Sequence, residues 1–532
     1  MAENAEWWRG AVIYQIYPRS YQDDDGDGSG DLKGITRRLD HVAALGVDAI
    51  WVSPFFTSPM ADMGYDVSDH RGVDPSFGTM EDFEAMVARA HELGLKVIID
   101  QVFSHSSEEH PFFEESRQSR DNPKADWYVW ADPKEDGSPP NNWQAIFGGP
   151  AWTWDTRRKQ YYFHQFLSEQ PDFNAHNPDV QAWILDTLRF WLDRGVDGFR
   201  LDAVNHYFQD PELRDNPPDW REKSEPDSKP FEMQYPIHSK NQPENLEFME
   251  RVREVMDSYG ATMTVGEIGE GHHPVERMTE YTTGKRLNMG YTLALTGPHF
   301  TADYIRAQVE SMIAPGQGGY PCWAMSSHDH NRPVSRWSDI GADQDALAKL
   351  AGAVLLTLEG GICMYQGEEL GQADTDLERH EIVDPEGKSF WPLVKGRDPS
   401  RTPMAWEAGA PNGGFSTAET TWLPAKAPQT ARAVDTQAGV DGSVLEAFRA
   451  LLHLRRDEPA LRTGKTVFLD APEPVMAFTR GDDVLCVMNL GPEAVEVLGL
   501  GVGAPLLEIA AKVVEDGVEL GPNGVWIGRP GA

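Results

Sequence analysis

Apolar positions along this chain fall into two patterns that alternate. Stretches with apolar residues at helical spacing end in a glycine, and a short continuous apolar run follows at once. The clearest cases are HVAALGVDAIWVSP, AHELGLKVIIDQVF, FWLDRGVDGFRLDA, VMDSYGATMTVGEI and LLTLEGGICMYQGEE. Gly46, Gly94, Gly195, Gly260 and Gly360 stand where a helix C-cap takes a left-handed residue, a conformation open to glycine because it lacks a Cβ. The runs after them fit parallel strands buried on both faces. Three further strands are read at AVIYQIYP (11–18), near Leu287–Tyr291 and at CWAMSSHD (322–329), which makes eight. Eight successive βα units predict an α/β fold, a (β/α)8 TIM barrel. An open doubly wound sheet is the alternative, but no glycine-rich phosphate loop follows the first strand.

Two stretches break the rhythm. Residues 104–172, after the third strand, are rich in Trp, Tyr, Phe, Pro and charge and predict an inserted domain on a βα loop. Residues 371–440, rich in Pro, Gly and Thr, form a second insertion. Beyond a helix around Ser443–Arg456 come TVFLD, VMAFTR, VLCVMNL and AVEVLGL, short strands separated by turn residues. They predict a C-terminal antiparallel β-sandwich. The expected division is 1–103 and 173–455 for the barrel, 104–172 for the inserted domain and 456–532 for the C-terminal domain.

Charge narrows the partners. The 47 basic and 85 acidic residues give a formal charge of −38, which repels phosphate backbones and anionic lipid heads. Nucleic acid and membrane are therefore not expected as partners, whereas a neutral small molecule is unaffected. The three cysteines are far apart and show no metal-binding spacing. No basic segment leads into an apolar stretch at the N-terminus, and the run near Leu350–Leu358 is too short to span a bilayer. A cytoplasmic protein, monomeric or a small homo-oligomer, with no organic cofactor, is expected.

Barrels place reactive groups at the C-terminal ends of their strands. Those ends carry Asp100, Asp202, Glu267 and Asp329. Unpaired buried carboxylates are costly, so four converging acids point to chemistry. Without metal-ligand spacing, the reaction such a set suits is glycoside hydrolysis, which needs a nucleophile or base and a protonated acid. Arg200 and Asp202 lie two apart on one strand and share a face. The guanidinium is expected to lower the Asp202 pKa, and Glu267, near other negative charges, to be the raised acid. His328 and Asp329 could hold sugar hydroxyls and stabilise a positive transition state.

The chain resembles glycoside hydrolase family 13, the α-amylase family, in its α-glucosidase and oligo-1,6-glucosidase branch. DQVFSH (100–105), GFRLDAVN (198–205), GEI (266–268) and SSHD (326–329) match the family's four short regions in order. QPDFN (170–174), ADMGYDVSD (61–69) and GRDPSRTPMAW (396–406) are similar to branch signatures. The resemblance implies Asp202 as nucleophile, Glu267 as acid/base and Asp329 as transition-state stabiliser. It also implies a glucose pocket of Asp62, Tyr65, His105, Arg200, His328 and Arg397, acting on a small oligosaccharide or disaccharide. Asp62 and Arg397 would bond the far hydroxyls and block longer sugar. Phe147 and Phe166 are candidates to line the leaving-group side, with simple packing as the alternative. The resemblance leaves open whether water or a sugar takes the glucosyl group, as in sucrose isomerase or trehalose synthase.

Two positions depart from the family. Ser104 stands where an Asn beside the active site binds calcium in many amylases. Ala203 follows the nucleophile where α-1,6-specific relatives tend to carry Val, which tilts the linkage towards α-1,4 or sucrose. A separate calcium or magnesium loop is read in DDDGDGSGD (23–31). Asp23, Asp25 and Asp27 alternate, Gly28 takes the sharp turn, and Ser29, through its backbone carbonyl, and Asp31 complete the set. Gly34 stands where an EF-hand loop would end in Glu.

Overall fold

All five predicted cap glycines take left-handed φ angles, from 79° at Gly94 to 126° at Gly360, and each releases the chain into a strand. The computed structural model describes residues 6–221, 227–269, 271–314 and 318–531. β1 (Val12–Ile16), β2 (Ala49–Val52) and β3 (Lys96–Gln101) open the barrel. β4 (Trp130–Ala131), β5 (Trp152–Asp155) and β6 (Gln160–Phe163) form a small antiparallel sheet inside the segment that follows β3. β7 (Gly198–Leu201), β8 (Met263–Glu267), β9 (Met289–Thr292), β10 (Pro321–Trp323) and β11 (Gly361–Tyr365) complete a parallel ring, in which β11 closes on β1.

Ile13, Trp51, Ile98, Met263, Met289, Cys322 and Cys363 fill the barrel's interior. Outside, helices supply the second apolar layer. The helix Leu32–Leu45 turns Leu32, Ile35, Leu39, Val42 and Leu45 inward, the spacing of one helical face. The strand read at 322–329 pairs only over Pro321–Trp323. Beyond it Ser327 Oγ accepts the Asp329 N–H at 3.1 Å, so side-chain bonding turns this segment into the loop that carries Asp329.

The insertion at 371–440 contains only short helices among its elements, including Pro385–Phe390 and Asp398–Arg401. At the C-terminus, β12 (Thr466–Phe468), β13 (Val475–Arg480), β14 (Val484–Asn489), β15 (Val495–Leu498), β16 (Val502–Val514) and β17 (Gly517–Pro530) form one antiparallel sheet. The two halves of β17 pair with β15 and β14, so the expected two layers are joined by continuous hydrogen bonding. Val475, Val487, Val497, Val518, Leu520 and Trp526 meet in one cluster within it. The opposite face, Met476, Phe478, Cys486 and Met488, joins the barrel's core. Among the described residues no helix is long and apolar enough to cross a membrane.

Candidate active site

Strand direction decides what the barrel presents at one end. Asp100 lies in β3, Asp202 directly follows β7, and Glu267 ends β8. Parallel register sets Asp100 beside Arg200 and Leu201 beside Gly266, so all three acids emerge at one level. Arg200, 1% exposed, is their shared counter-ion. Its Nη1 lies 3.0 Å from Asp100 Oδ1 and 2.6 Å from Asp202 Oδ1, and its Nη2 lies 2.8 Å from Glu267 Oε2.

One cation shared by three carboxylates changes the electrostatic expectation. Burial pushes Asp202 well above the ordinary carboxylate range; Arg200 opposes this, while Glu267 and Asp100 add to it. The expected lowering of Asp202 by Arg200 is therefore corrected: the contact is present but is outweighed by desolvation and like charge. Burial likewise raises Asp100 to about 6. Trp51 Nε1 and Tyr65 Oη donate to Asp100 at 3.1 and 3.0 Å, which makes it the anchor beneath the site.

Asp329 behaves in the opposite way. Burial alone would raise it, but the Arg401 and Arg397 guanidiniums hold it well below the usual range. Arg401 Nη2 lies 2.8 Å and Arg397 Nη1 3.4 Å from its Oδ1. His328 is buried, and desolvation lowers its pKa well below the usual value, so it is neutral. Its Nδ1 accepts from Gln15 Nε2 at 2.8 Å, which leaves the proton on Nε2, 3.1 Å from Asp329 Oδ2 but without a hydrogen-bond partner. Tyr65 stacks on the His328 ring at 5.1 Å and 6°.

A cavity of about 320 Å³ opens over these groups, lined by Asp62, Tyr65, His105, Phe147, Phe166, Asp202, Glu267, Asp329 and Arg397 among others. Arg397 Nη2 bridges Asp62 Oδ1 and Asp384 Oδ1, both at 2.6 Å. The Arg397 guanidinium lies over Phe147 at 4.8 Å, and Phe166 packs 5.0 Å from His105. The two phenylalanines thus both line the cavity and pack. Arg200 and His328 sit beneath the lining. Ala203 adopts a left-handed φ of 40° and donates its N–H to Glu267 Oε2 at 3.0 Å. Ser104 Oγ lies 2.9 Å from His105 Nδ1. A larger groove of about 840 Å³, between the helix Gln344–Thr357 and β16, shares no residue with this cavity.

Compared with known protein families, residues 15–464 match the alpha amylase catalytic domain. The chain belongs to the α-amylase family of glycoside hydrolases. It is 52% identical over 498 residues to a probable alpha-glucosidase of Rhizobium meliloti, covering 92% of this chain and 90% of that one. A crystal structure of an alpha-glucosyl transfer enzyme superposes with a TM-score of 0.93 at 49% identity, covering 98% and 99% of the two chains. The trehalulose synthase of Pseudomonas mesoacidophila superposes with a TM-score of 0.89 at 31% identity, covering 99% of this chain and 100% of that one.

Several residues of this α-amylase-family site escaped the sequence reading as individual positions. Arg401 and Asp398 lie inside the GRDPSRTPMAW signature, yet only Arg397 stood out there. Asp384, Lys229 and Glu386 lie in segments without periodicity, and no motif marked them. Gln170, in the QPDFN signature, donates to Asp62 Oδ2 at 3.2 Å.

The acidic loop is separate from the cavity. Carboxylate oxygens of Asp23, Asp25 and Asp27 lie within 4.8 Å of one another. Ser29 Oγ is buried without a partner. Asp31 lies outside this trio; its Oδ1 caps the helix Leu32–Leu45 through Gly34 N at 2.7 Å, and its Oδ2 accepts Asp24 N at 2.8 Å. Asp23 also accepts from Ser416 Oγ at 2.5 Å, which ties the loop to the second insertion.

Proposed function

We propose that this enzyme is a retaining, exo-acting α-glucosidase that removes the non-reducing terminal glucose of short sugars such as maltose or sucrose. The observation that carries the reading is the pair Asp202 and Glu267, held by adjacent nitrogens of one guanidinium and both lining one cavity. Retaining enzymes need their two carboxyls about 5–5.5 Å apart, closer than the roughly 6.5–9.5 Å that leaves room for water in inverting ones. Two acids sharing one Arg200 suit the closer class. Glu267 Oε2 is occupied by Arg200 and by the Ala203 N–H, so Oε1 is the atom that carries the transferable proton. In the first step Glu267 gives this proton to the glycosidic oxygen while Asp202 bonds to the anomeric carbon, forming a covalent β-glucosyl ester. In the second, Glu267 takes a proton from water, which attacks the same carbon and releases α-glucose. Asp329, kept ionised by its two arginines, stabilises the positive charge that develops in both transition states. The Asp62–Arg397 pair bonds the far hydroxyls and ends the pocket after one glucose, which makes the action exo.

A panel of maltose, sucrose, isomaltose and trehalose, followed by NMR of the first product, tests this. Glucose is expected as the α-anomer at early times; the β-anomer would refute retention. A second reading, glucosyl transfer to a sugar, is favoured by the 49% identical neighbour described as an alpha-glucosyl transfer enzyme. It uses the same intermediate, and product analysis at high sugar concentration separates the two.

The loop of Asp23, Asp25 and Asp27 is proposed to hold a structural calcium or magnesium ion, with the Ser29 carbonyl as a further ligand. Three clustered carboxylate donors and a buried, unpartnered hydroxyl suit a hard cation. Its charge would relieve the repulsion among these acids and steady the loop. Removing the metal with EDTA is expected to lower the melting temperature by a few degrees, and excess calcium to restore it. Saturation at about 100 times Kd is worth roughly 2.7 kcal/mol. An unchanged melting temperature would rule the ion out.

A further inference from the structure

The chain reaches Asp62 through a strained turn. Between β2 and the helix Met80–Glu92, Met60 and Met63 take φ angles of 65° and 52°, and Gly64 follows at 109°. Residues with a Cβ seldom enter this left-handed region, because the side chain crowds the backbone there. Two of them flank Ala61 and Asp62, and such a pair persists only where the surroundings hold it. Asp66 does the holding. Buried, it accepts the Ala61 N–H on Oδ2 at 2.8 Å and the Asp62 N–H on Oδ1 at 3.0 Å. Its Oδ1 also accepts from Ser58 Oγ at 2.9 Å, and that hydroxyl accepts the Met60 N–H at 3.0 Å. One carboxylate thus fixes three successive peptide N–H groups, two directly and one through Ser58.

We infer that Asp66 is a positioning residue for sugar recognition, holding this turn in the shape that aims Asp62 at the far hydroxyl of glucose. This rests on the reading of Asp62 as a glucose-binding residue. The Asp62 side chain is held from the other direction, Oδ1 by Arg397 Nη2 at 2.6 Å and Oδ2 by Gln170 Nε2 at 3.2 Å. Those contacts orient the carboxylate, but its reach depends on where the turn places its Cα. A hydrogen bond weakens steeply as its geometry is lost, so a relaxed turn forfeits the hydroxyl even with Arg397 in place.

Two features confine the effect to Asp62. Asp66 itself lies outside the cavity's lining, so it meets a sugar only through the turn. Tyr65, next to it in the chain, is held independently, by its bond to Asp100 and its stack on His328. The charge of Asp66 suits the task. Burial raises its carboxyl to about 6, while the Asp62 and Ala61 N–H groups pull it down. At neutral pH it is therefore ionised, and bonds to an ionised acceptor are the strong ones.

The test compares wild type, Asp66→Ala and Asp66→Asn on p-nitrophenyl α-glucoside and on its 4-deoxy analogue, which lacks the hydroxyl farthest from the reacting carbon. Wild type is expected to favour the complete glucoside about tenfold or more in kcat/KM, the worth of a hydrogen bond to a charged group. In Asp66→Ala the complete glucoside should lose about tenfold and the 4-deoxy glucoside no more than about twofold, so that the preference nearly disappears. Asp66→Asn keeps one acceptor oxygen and should fall between; it carries the comparison if the alanine variant does not fold. Met63→Gly removes the cost of one left-handed angle and should restore part of the preference in the Asp66→Ala background. Equal losses on both glucosides would show that Asp66 serves stability alone, and an unchanged preference would show that the turn keeps its shape without it; either overturns the inference. A wild-type enzyme that turns over both glucosides equally would instead sink the reading of Asp62, and the inference with it.

Discussion

Asp202→Ala is expected to reduce kcat/KM on maltose or sucrose at least about a thousandfold, the order of loss for removing a covalent nucleophile. The fold should survive the change. Asp202 is pushed upward by burial, so its ionised form is a cost to the folded state near neutral pH, and alanine removes that cost. The melting temperature is therefore expected to stay level or rise while activity collapses. A small external nucleophile such as azide would distinguish a lost nucleophile from a collapsed pocket. Azide can enter the space left by the carboxylate and attack the anomeric carbon from the same face, giving the β-glucosyl azide from an activated α-glucoside. Near-normal turnover without azide would contradict the role given to Asp202.

Arg200→Met is the change expected to cost the most stability. It leaves Asp100, Asp202 and Glu267 without the cation they share. Removing one partner of a buried ion pair costs about 3–5 kcal/mol, because the remaining charge stays desolvated. The loss should depend on pH in a defined direction. Burial already raises Asp202 and takes Asp100 to about 6, and loss of Arg200 raises both further. A carboxyl raised in the folded state contributes stability that is complete below its unfolded pKa, near 4, and is lost as pH rises through its folded value. The deficit of the variant should therefore be small near pH 4 and largest above pH 7. Asp329, shifted in the opposite sense, weakens both proteins as pH falls and cancels in the difference. Melting curves of both proteins from pH 4 to 8 check this, and a deficit independent of pH would show that Arg200 acts mainly through packing.

Much of the barrel was legible because its signals are local. A glycine that must take a positive φ, an apolar face at helical spacing and a run of apolar residues each report on a few neighbouring positions. The acids at 100, 202 and 267 were legible for a related reason: a strand's direction and period say which end and which side a residue faces. Four of the six C-terminal strands could likewise be read, but β16, β17 and the joining through β17 could not, because pairing partners are chosen across distance.

The site's electrostatics were the least legible part. Arg200 and Asp202 are two residues apart, and from that spacing alone the guanidinium belongs to Asp202. In the folded protein Asp100 and Glu267 claim the same group, and the sign of the Asp202 shift reverses. Arg401, Asp384, Lys229 and Glu386 were similarly invisible as individual residues. They lie on aperiodic segments, where nothing local distinguishes a cavity-lining charge from a solvated one.

The order of elements, the strand ends that carry the acids, and the family were determined by the sequence itself, through patterns that act over a few residues. Which charges share a counter-ion and which rings line the cavity were decided only by tertiary structure. The physical reason is that burial and Coulomb energy depend on distance in space, and the chain brings these groups together from positions up to 335 residues apart, as in Asp62 and Arg397.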